Sequence, residues 1–279
     1  MAEATEATHT PALAIRTEGL SRSFGAKRAL ESLDLTVPAG ALFALLGPNG
    51  AGKSTTIQIL TTLLAPTAGR AFVDGHDVVA DARAVRRVSG VVFQDSSLDD
   101  RLTARENLDL HAAIFGVPRR ERRDRAETQL AWIGLASVGD NLVRTFSGGM
   151  RRRLEIARAL VHDPSIVILD EPTVGLDPQT RRAVWDKLAE IAATPGRRRT
   201  VFVTTHYMDE AERCDDVVIL DHGRLLARGT PKELCERTSS ERLEDAFVSL
   251  TGRDIRDAGD EEAGGLSAMK TRLRMRGRG

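Results

Sequence analysis

A chain of 279 residues has room for one large domain, or one domain with a small appendage. Apolar content of 41% and charged content of 29% fit a globular protein with a sizeable core; Lys+Arg and Asp+Glu balance at 40 each, so no global field points to nucleic acid. The two cysteines, Cys214 and Cys235, match no metal or redox spacing, and no apolar run approaches the ~18–20 residues that span a bilayer.

Residues 1–12 lack a basic start and an apolar stretch, so they read as a disordered leader and not a signal peptide; any membrane role is then peripheral. Short β-type segments follow at Leu13–Thr17, Ala29–Val37 and Ala41–Leu46, with Pro38-Ala-Gly40 as the turn between the last two. A helix-like stretch, Lys53–Leu64, comes at once, and Arg70–Val73 and Val88–Phe93 again predict strands. From about Ser96 to His162 the pattern is helical, at Ala104–Phe115, Arg119–Ile133 and Gly148–Val161. Ser165–Leu169 is a continuous apolar run of strand length, typical of a buried parallel strand. Pro178–Ala193 predicts a helix and Thr200–Thr205 a strand, and Asp216–Asp221 with Arg224–Arg228 closes around His222-Gly223. Strands alternating with helices on either side of a helical block predict an α/β core over residues 13–232, with a helical subdomain inserted at about 96–162.

Beyond Pro231 the sequence reads as a short tail, residues 233–279. Within it Ser240–Leu250 has an amphipathic helical pattern, and the chain from Gly252 onward is polar and glycine-rich. Its last ten residues, Lys270–Gly279, are basic. They either touch anionic lipid or RNA or form a solvated, disordered end, and the second reading is taken. No internal repeat is present, so a single functional cassette is expected.

The residues Gly47-Pro-Asn-Gly-Ala-Gly-Lys-Ser54 fit G-x-x-x-x-G-K-[ST] between an apolar strand and a helix, the context that makes this pattern a P-loop. Gly47, Gly50 and Gly52, with Pro48, Asn49 and Ala51 between them, let backbone N–H groups curl around phosphates at the start of the helix. Lys53 is expected to reach the β- and γ-phosphates of ATP, Ser54 to bind Mg²⁺, and Thr55 to stand beside it. A matching acidic pair belongs at the end of a later buried strand, and Asp170-Glu171 supplies it. Asp170 then serves Mg²⁺, while Glu171 polarises the attacking water as general base. Alone, such a pair is an ordinary solvated strand end; the P-loop changes its meaning.

Many unrelated enzymes carry a P-loop, so the features around it decide. Phe146-Ser-Gly-Gly-Met150 opens a helix just upstream of the acidic strand. The Ser147, Gly148 and Gly149 start offers bare N–H groups and a positive dipole end, a second anion site. One chain cannot easily bring two anion sites in different subdomains onto one γ-phosphate; two chains packed head to tail can.

At this point the sequence resembles the ATP-binding cassette (ABC) family over roughly Leu13–Lys232. The family signature, commonly Leu-Ser-Gly-Gly-Gln, stands here as Phe-Ser-Gly-Gly-Met, and Met150 lacks the hydrogen bond a glutamine would donate. The run Ser-Gly-Gly-Met-Arg-Arg-Arg-Leu-Glu-Ile-Ala resembles bacterial exporters of the daunorubicin-resistance type. The resemblance implies an ABC ATPase fold: a P-loop NTPase core, an antiparallel β subdomain and an inserted α-helical subdomain. It gives Gln94 a role in sensing Mg²⁺ and the γ-phosphate, Asp177 a role in communication across the dimer, His206 the switch contact to the γ-phosphate, and Phe24 the stack on adenine. It also implies a separate membrane-spanning permease subunit, docking at Asp95–Leu102, and export of a drug, antibiotic or other amphipathic compound. Segment Leu243–Arg253 resembles the C-terminal part of the same exporters; it either regulates or pairs subunits or is a packing helix. A soluble cassette ATPase acting on DNA or ribosomes is the alternative; those usually carry a long coiled-coil insertion, zinc-binding cysteines or two cassettes. A P-loop kinase or GTPase lacks the Ser-Gly-Gly helix and the ordered set from Gln94 to His206.

Overall fold

The computed structural model describes residues 12–194 and 199–252; residues 1–11 of the expected leader and the basic run Lys270–Gly279 lie outside them. Strands β1 (Leu13–Phe24) and β2 (Lys27–Pro38) form a long antiparallel hairpin. In β2 the residues Leu33, Leu35 and Val37 are buried at a spacing of two, the pattern of a strand with one face inward. With β4 (Ala68–Val73) and β5 (His76–Asp77) they make a four-stranded antiparallel sheet in the order β2-β1-β4-β5.

The second sheet has six strands in the order β10-β9-β3-β8-β7-β6, where β3 is Leu42–Leu46, β6 Ser89–Val92, β7 Ile166–Asp170, β8 Thr200–Thr205, β9 Asp216–Asp221 and β10 Arg224–Gly229. All neighbours are parallel except the closing β9–β10 hairpin. Every residue of β3, β7 and β8 is buried, as the centre of a sheet covered on both faces requires. Helix α1 (Lys53–Leu60) and the antiparallel sheet cover one face, through Ile57, Phe43, Phe202, Ile168, Leu33 and Ile15. Helices α5 (Gly148–Leu160) and α6 (Pro178–Ala193) cover the other, with Ile156, Trp185 and Leu188 against Val203 and Ile219. A third cluster joins α3 (Ala104–Ile114), α4 (Arg119–Trp132) and α5 through Leu108, Ala112, Leu130 and Leu154. The α3 start is secured by a capping box, in which Thr103 and Glu106 satisfy each other's backbone N–H groups. Trp132 packs against both this helical cluster and the core of the large sheet.

The structure differs from the sequence expectations in several places. Helix α1 ends at Leu60, not Leu64, because Thr62 has φ 65° and the N–H groups of Leu63 and Leu64 turn back to the carbonyl of Gln58. Helices α2 (Ala82–Val88), α7 (Met208–Ala211) and α8 (Pro231–Thr238) stand where none was expected. Helix α8 and the following α9 (Leu243–Thr251) place Leu234, Leu243, Ala246 and Phe247 in the core cluster of the large sheet, so the start of the tail is packed structure. No helix among the described residues is long and apolar enough to cross a membrane.

What positions the site is the strand order. Four adjacent strands, β3, β8, β7 and β6, run parallel, and their ends coincide: Leu46 faces Thr205, Asp170 faces Thr204, and Val92 faces Leu169. Their carboxyl edges therefore form one row, the usual place for ligands in an open α/β sheet.

Candidate active site

Gly47–Gly52 leads from β3 into α1 by a path open only to glycine at two points. A Cβ on Gly47 would stand 2.3 Å from the carbonyl oxygen of Leu220, and Gly52, the N-cap of α1, has φ 108°. No side chain caps this helix and no acidic residue lies in its first turn, so its N–H groups and positive dipole end stay available. The loop is braced from behind, where Gly223 N–H donates to the carbonyl of Ala51 at 2.9 Å. Asn49, Gly50 and Ser54 are exposed, Pro48 and Thr55 half-buried, and Ala51 buried.

Lys53 is buried, and its ammonium donates to the carbonyls of Gly47 (2.7 Å) and Pro48 (3.2 Å). It also forms an ion pair with Glu171 Oε1 at 3.1 Å. Burial lowers the Lys53 pKa, against the opposing pull of Glu171 and Asp170. Glu171 follows β7 with φ 44°, a left-handed turn that a non-glycine residue adopts only when its surroundings hold it there. Those surroundings are visible: its N–H donates to the carbonyl of Thr204 at 3.2 Å and to Thr204 Oγ1 at 3.1 Å. The same hydroxyl donates to Asp170 Oδ1 at 2.6 Å. His206 Nδ1 lies 3.2 Å from Glu171 Oε1. Burial alone would raise the Glu171 pKa, but the His206 hydrogen bond and the nearby Lys53 and His206 charges outweigh it and hold the carboxyl at about 2. The structure thus joins Lys53, Asp170, Glu171 and His206 into one polar cluster at the phosphate-binding turn.

The other predicted residues are placed differently. Gln94 is exposed in the loop after β6, where Arg152 of α5 donates to the carbonyls of Phe93 (2.8 Å) and Gln94 (3.2 Å). Arg152 is itself buried and paired with buried Glu155 at 2.9 Å. Ser147 caps α5 by accepting from the N–H of Met150 at 3.2 Å, and the Met150 side chain packs on the helical cluster. Ser147 and Gly148 are exposed, and no hydrogen bond or ion pair among the described residues joins Ser147–Gly149 to the phosphate-binding turn. The carboxylate of Asp177 caps α6, accepting from Gln179 N–H, Thr180 N–H and the Thr180 hydroxyl; the hydroxyl bond above all keeps its pKa low. Phe24 is 46% exposed with the Arg22 guanidinium 4.6 Å from its ring centre, so it is no core aromatic.

Sequence reasoning missed three residues that hold the site, Thr204, Arg152 and Glu210. Thr204 was visible only as the residue two before His206, and Arg152 was hidden in a run of three arginines. Glu210 is a buried carboxylate in the short helix after His206.

The family model described as ABC transporter matches residues 30–174. The daunorubicin/doxorubicin resistance ATP-binding protein DrrA of Streptomyces peucetius is 46% identical over 225 residues, 80% of this chain and 67% of that protein. The Nod factor export ATP-binding protein I of Rhizobium sp. (strain N33) is 44% identical over 80% of this chain and 73% of its own length. A solved ATP-binding subunit of an ABC transporter superposes with a TM-score of 0.76 at 31% identity, over 85% of this chain and 99% of its own. A dimeric ATP-binding cassette, MJ0796, in a post-hydrolysis state bound to ADP and Pi, gives 0.69 at 29% identity, over 77% and 98%. The chain belongs to the ABC transporter family, as an ATP-binding component with ATPase activity.

Proposed function

We propose that the chain powers export of a drug, antibiotic or other amphipathic compound through a separate membrane-spanning subunit, working at the cytoplasmic face of the membrane as a head-to-tail pair. Relatives named for daunorubicin resistance and for Nod factor export support the direction of transport. The observation that carries the mechanism is the convergence of Lys53 and His206 on one oxygen of Glu171, over a glycine turn at a helix start.

Hydrolysis of a phosphoanhydride needs charge neutralisation and water positioning, with little covalent work from the protein. Incoming γ-phosphate competes with Glu171 for the Lys53 ammonium and frees the carboxylate. The freed Glu171 carboxylate accepts a hydrogen bond from the attacking water. His206 beside it supports the γ-phosphate, and Phe24, exposed at the end of β1, stacks on adenine. The protein oxygens of Ser54, Gln94 and Asp170 suit Mg²⁺, a hard ion that takes few protein ligands and completes its shell with phosphate and water. When bound, Mg²⁺ neutralises charge on the phosphates.

Ser147–Gly149 then serves the nucleotide of a second copy, and Asp177, at the neighbouring start of α6, lies at the junction. A nucleotide shared in this way joins two copies while ATP is intact and lets them part after hydrolysis, a bistable element able to drive a membrane partner. Glu171→Gln tests the reading directly. It should bind ATP with near-normal affinity, lose ~10²–10⁴-fold in turnover, and accumulate as an ATP-and-Mg²⁺-dependent dimer on size-exclusion chromatography. Near-normal hydrolysis by this variant removes Glu171 from the role of base.

A further inference from the structure

Next to the Lys53–Glu171–His206 cluster lies a second set of polar groups, all of them buried. Glu210 is only 2% exposed, yet it is a carboxylate. Its two oxygens are taken by two threonine hydroxyls from separate segments: Thr173, in the turn after β7, donates to Oε1, and Thr205, the last residue of β8, donates to Oε2 at 2.6 Å. Both threonines are themselves fully buried. The Thr205 oxygen in turn accepts from the N–H of Tyr207 at 3.0 Å, so the turn Thr205-His206-Tyr207 is pinned on either side of the histidine. Thr173 is two residues beyond Glu171. One buried carboxylate therefore ties together the two loops whose side chains meet at the Glu171–His206 contact.

Arg181 adds a long ion pair to Glu210 and no hydrogen bond. Arg181 of α6 holds its Nε 3.7 Å from Glu210 Oε1, beyond hydrogen-bond reach. Its guanidinium lies instead over the Tyr207 ring, 4.2 Å from the centre, and that ring sits 4.1 Å from the His206 imidazole. A buried carboxylate is costly unless its oxygens are hydrogen-bonded, and the acceptors here are spent on fixing loop geometry.

We infer that Glu210 is a positioning residue for hydrolysis: through Thr173 and Thr205 it sets His206 against Glu171. The inference rests on the proposed role of His206. A carboxylate is the group required, because it accepts from both hydroxyls at once. Glutamine keeps the shape but replaces one acceptor with an amide that donates, leaving a buried hydroxyl proton without a partner and one loop unpinned.

The test uses the full chain and reads turnover, KM for ATP and nucleotide binding together. Glu210→Gln is expected to lower turnover about 10–50-fold while KM stays within about twofold, since the phosphate-binding turn is untouched. In a His206→Ala background the same substitution is expected to cost less than about twofold, because the group it positions is gone. Thr205→Val and Thr173→Val, close in shape and free of a new polar atom, are expected to repeat the pattern and carry the test if Glu210→Gln does not fold. Unchanged turnover in these variants, or the same fold loss with and without His206, overturns the inference and leaves the proposed roles of Glu171 and His206 standing. Undiminished turnover in His206→Ala alone overturns the role of His206, and the inference with it.

Discussion

Two glycine-led helix starts stand in this chain, and their surroundings are opposite. At the first, Gly52 opens α1 with no side-chain cap, its loop is braced by Gly223, and Lys53, Glu171 and His206 enclose the approach. At the second, Ser147 opens α5 and caps it, Ser147 and Gly148 are exposed, and nothing lies within 4 Å of where a Gly148 Cβ would be. Both present N–H groups and a positive dipole end free of acidic residues in the first turn. The first is enclosed by groups of its own chain; the second has the same physics and no such enclosure among the described residues. That contrast supports the proposal that two copies share a nucleotide.

The contrast can be broken most severely through the clamp behind the second start. Arg152→Met strands the buried Glu155 carboxylate and releases the Phe93–Gln94 carbonyls, so urea unfolding is expected to show a loss of about 3–5 kcal/mol. Adding Glu155→Leu should recover most of it; a stable Arg152→Met protein would show that the clamp contributes little. Next in size, Gly148→Asp puts a negative side chain at an open position, so folding and nucleotide binding to a single chain should persist. ATP turnover should fall roughly 10²–10³-fold, and dimerisation with ATP should disappear. Normal turnover in that variant would take the second start out of the chemistry. The smallest effect belongs to the rim of the first site. Phe24→Ala should weaken ATP binding by ~1–3 kcal/mol, read as a raised Kd by equilibrium binding, with turnover at saturation unchanged.

The same two regions show what a sequence makes legible. Lys53, Asp170, Glu171 and His206 could be found because each stands at a fixed, short spacing from a strand end, and strand order alone then brings them together. The capping box Thr230-Pro-Lys-Glu233 is an equally local signal, with Pro231 at the first helical position, but it straddles the expected boundary between domain and tail, where no helix was expected. Arg152 was not legible by any local rule. Arg151, Arg152 and Arg153 are alike in sequence, and only the rotation of α5 against the loop after β6 selects the middle one for burial. Glu210 was hidden for the same reason: its partner Thr173 is 37 positions away, so the polar segment after His206 gives no sign of facing inward. Motifs that bind ligands are written locally, whereas the residues that hold those motifs still are written by tertiary contact.

The pairing of β3 has a consequence for how the molecule is made. Leu42–Leu46, which ends in the phosphate-binding turn, pairs on one side with Val201–Thr205 and on the other with Asp216–Ile219. During translation this strand leaves the ribosome early and waits for some 150 residues of chain before either neighbour exists, while α3, α4 and α5 emerge in between with contacts of their own. The nascent chain therefore spends most of its synthesis with its ATP-binding element unbuilt. Topology alone postpones nucleotide capture until the last third of the protein has arrived.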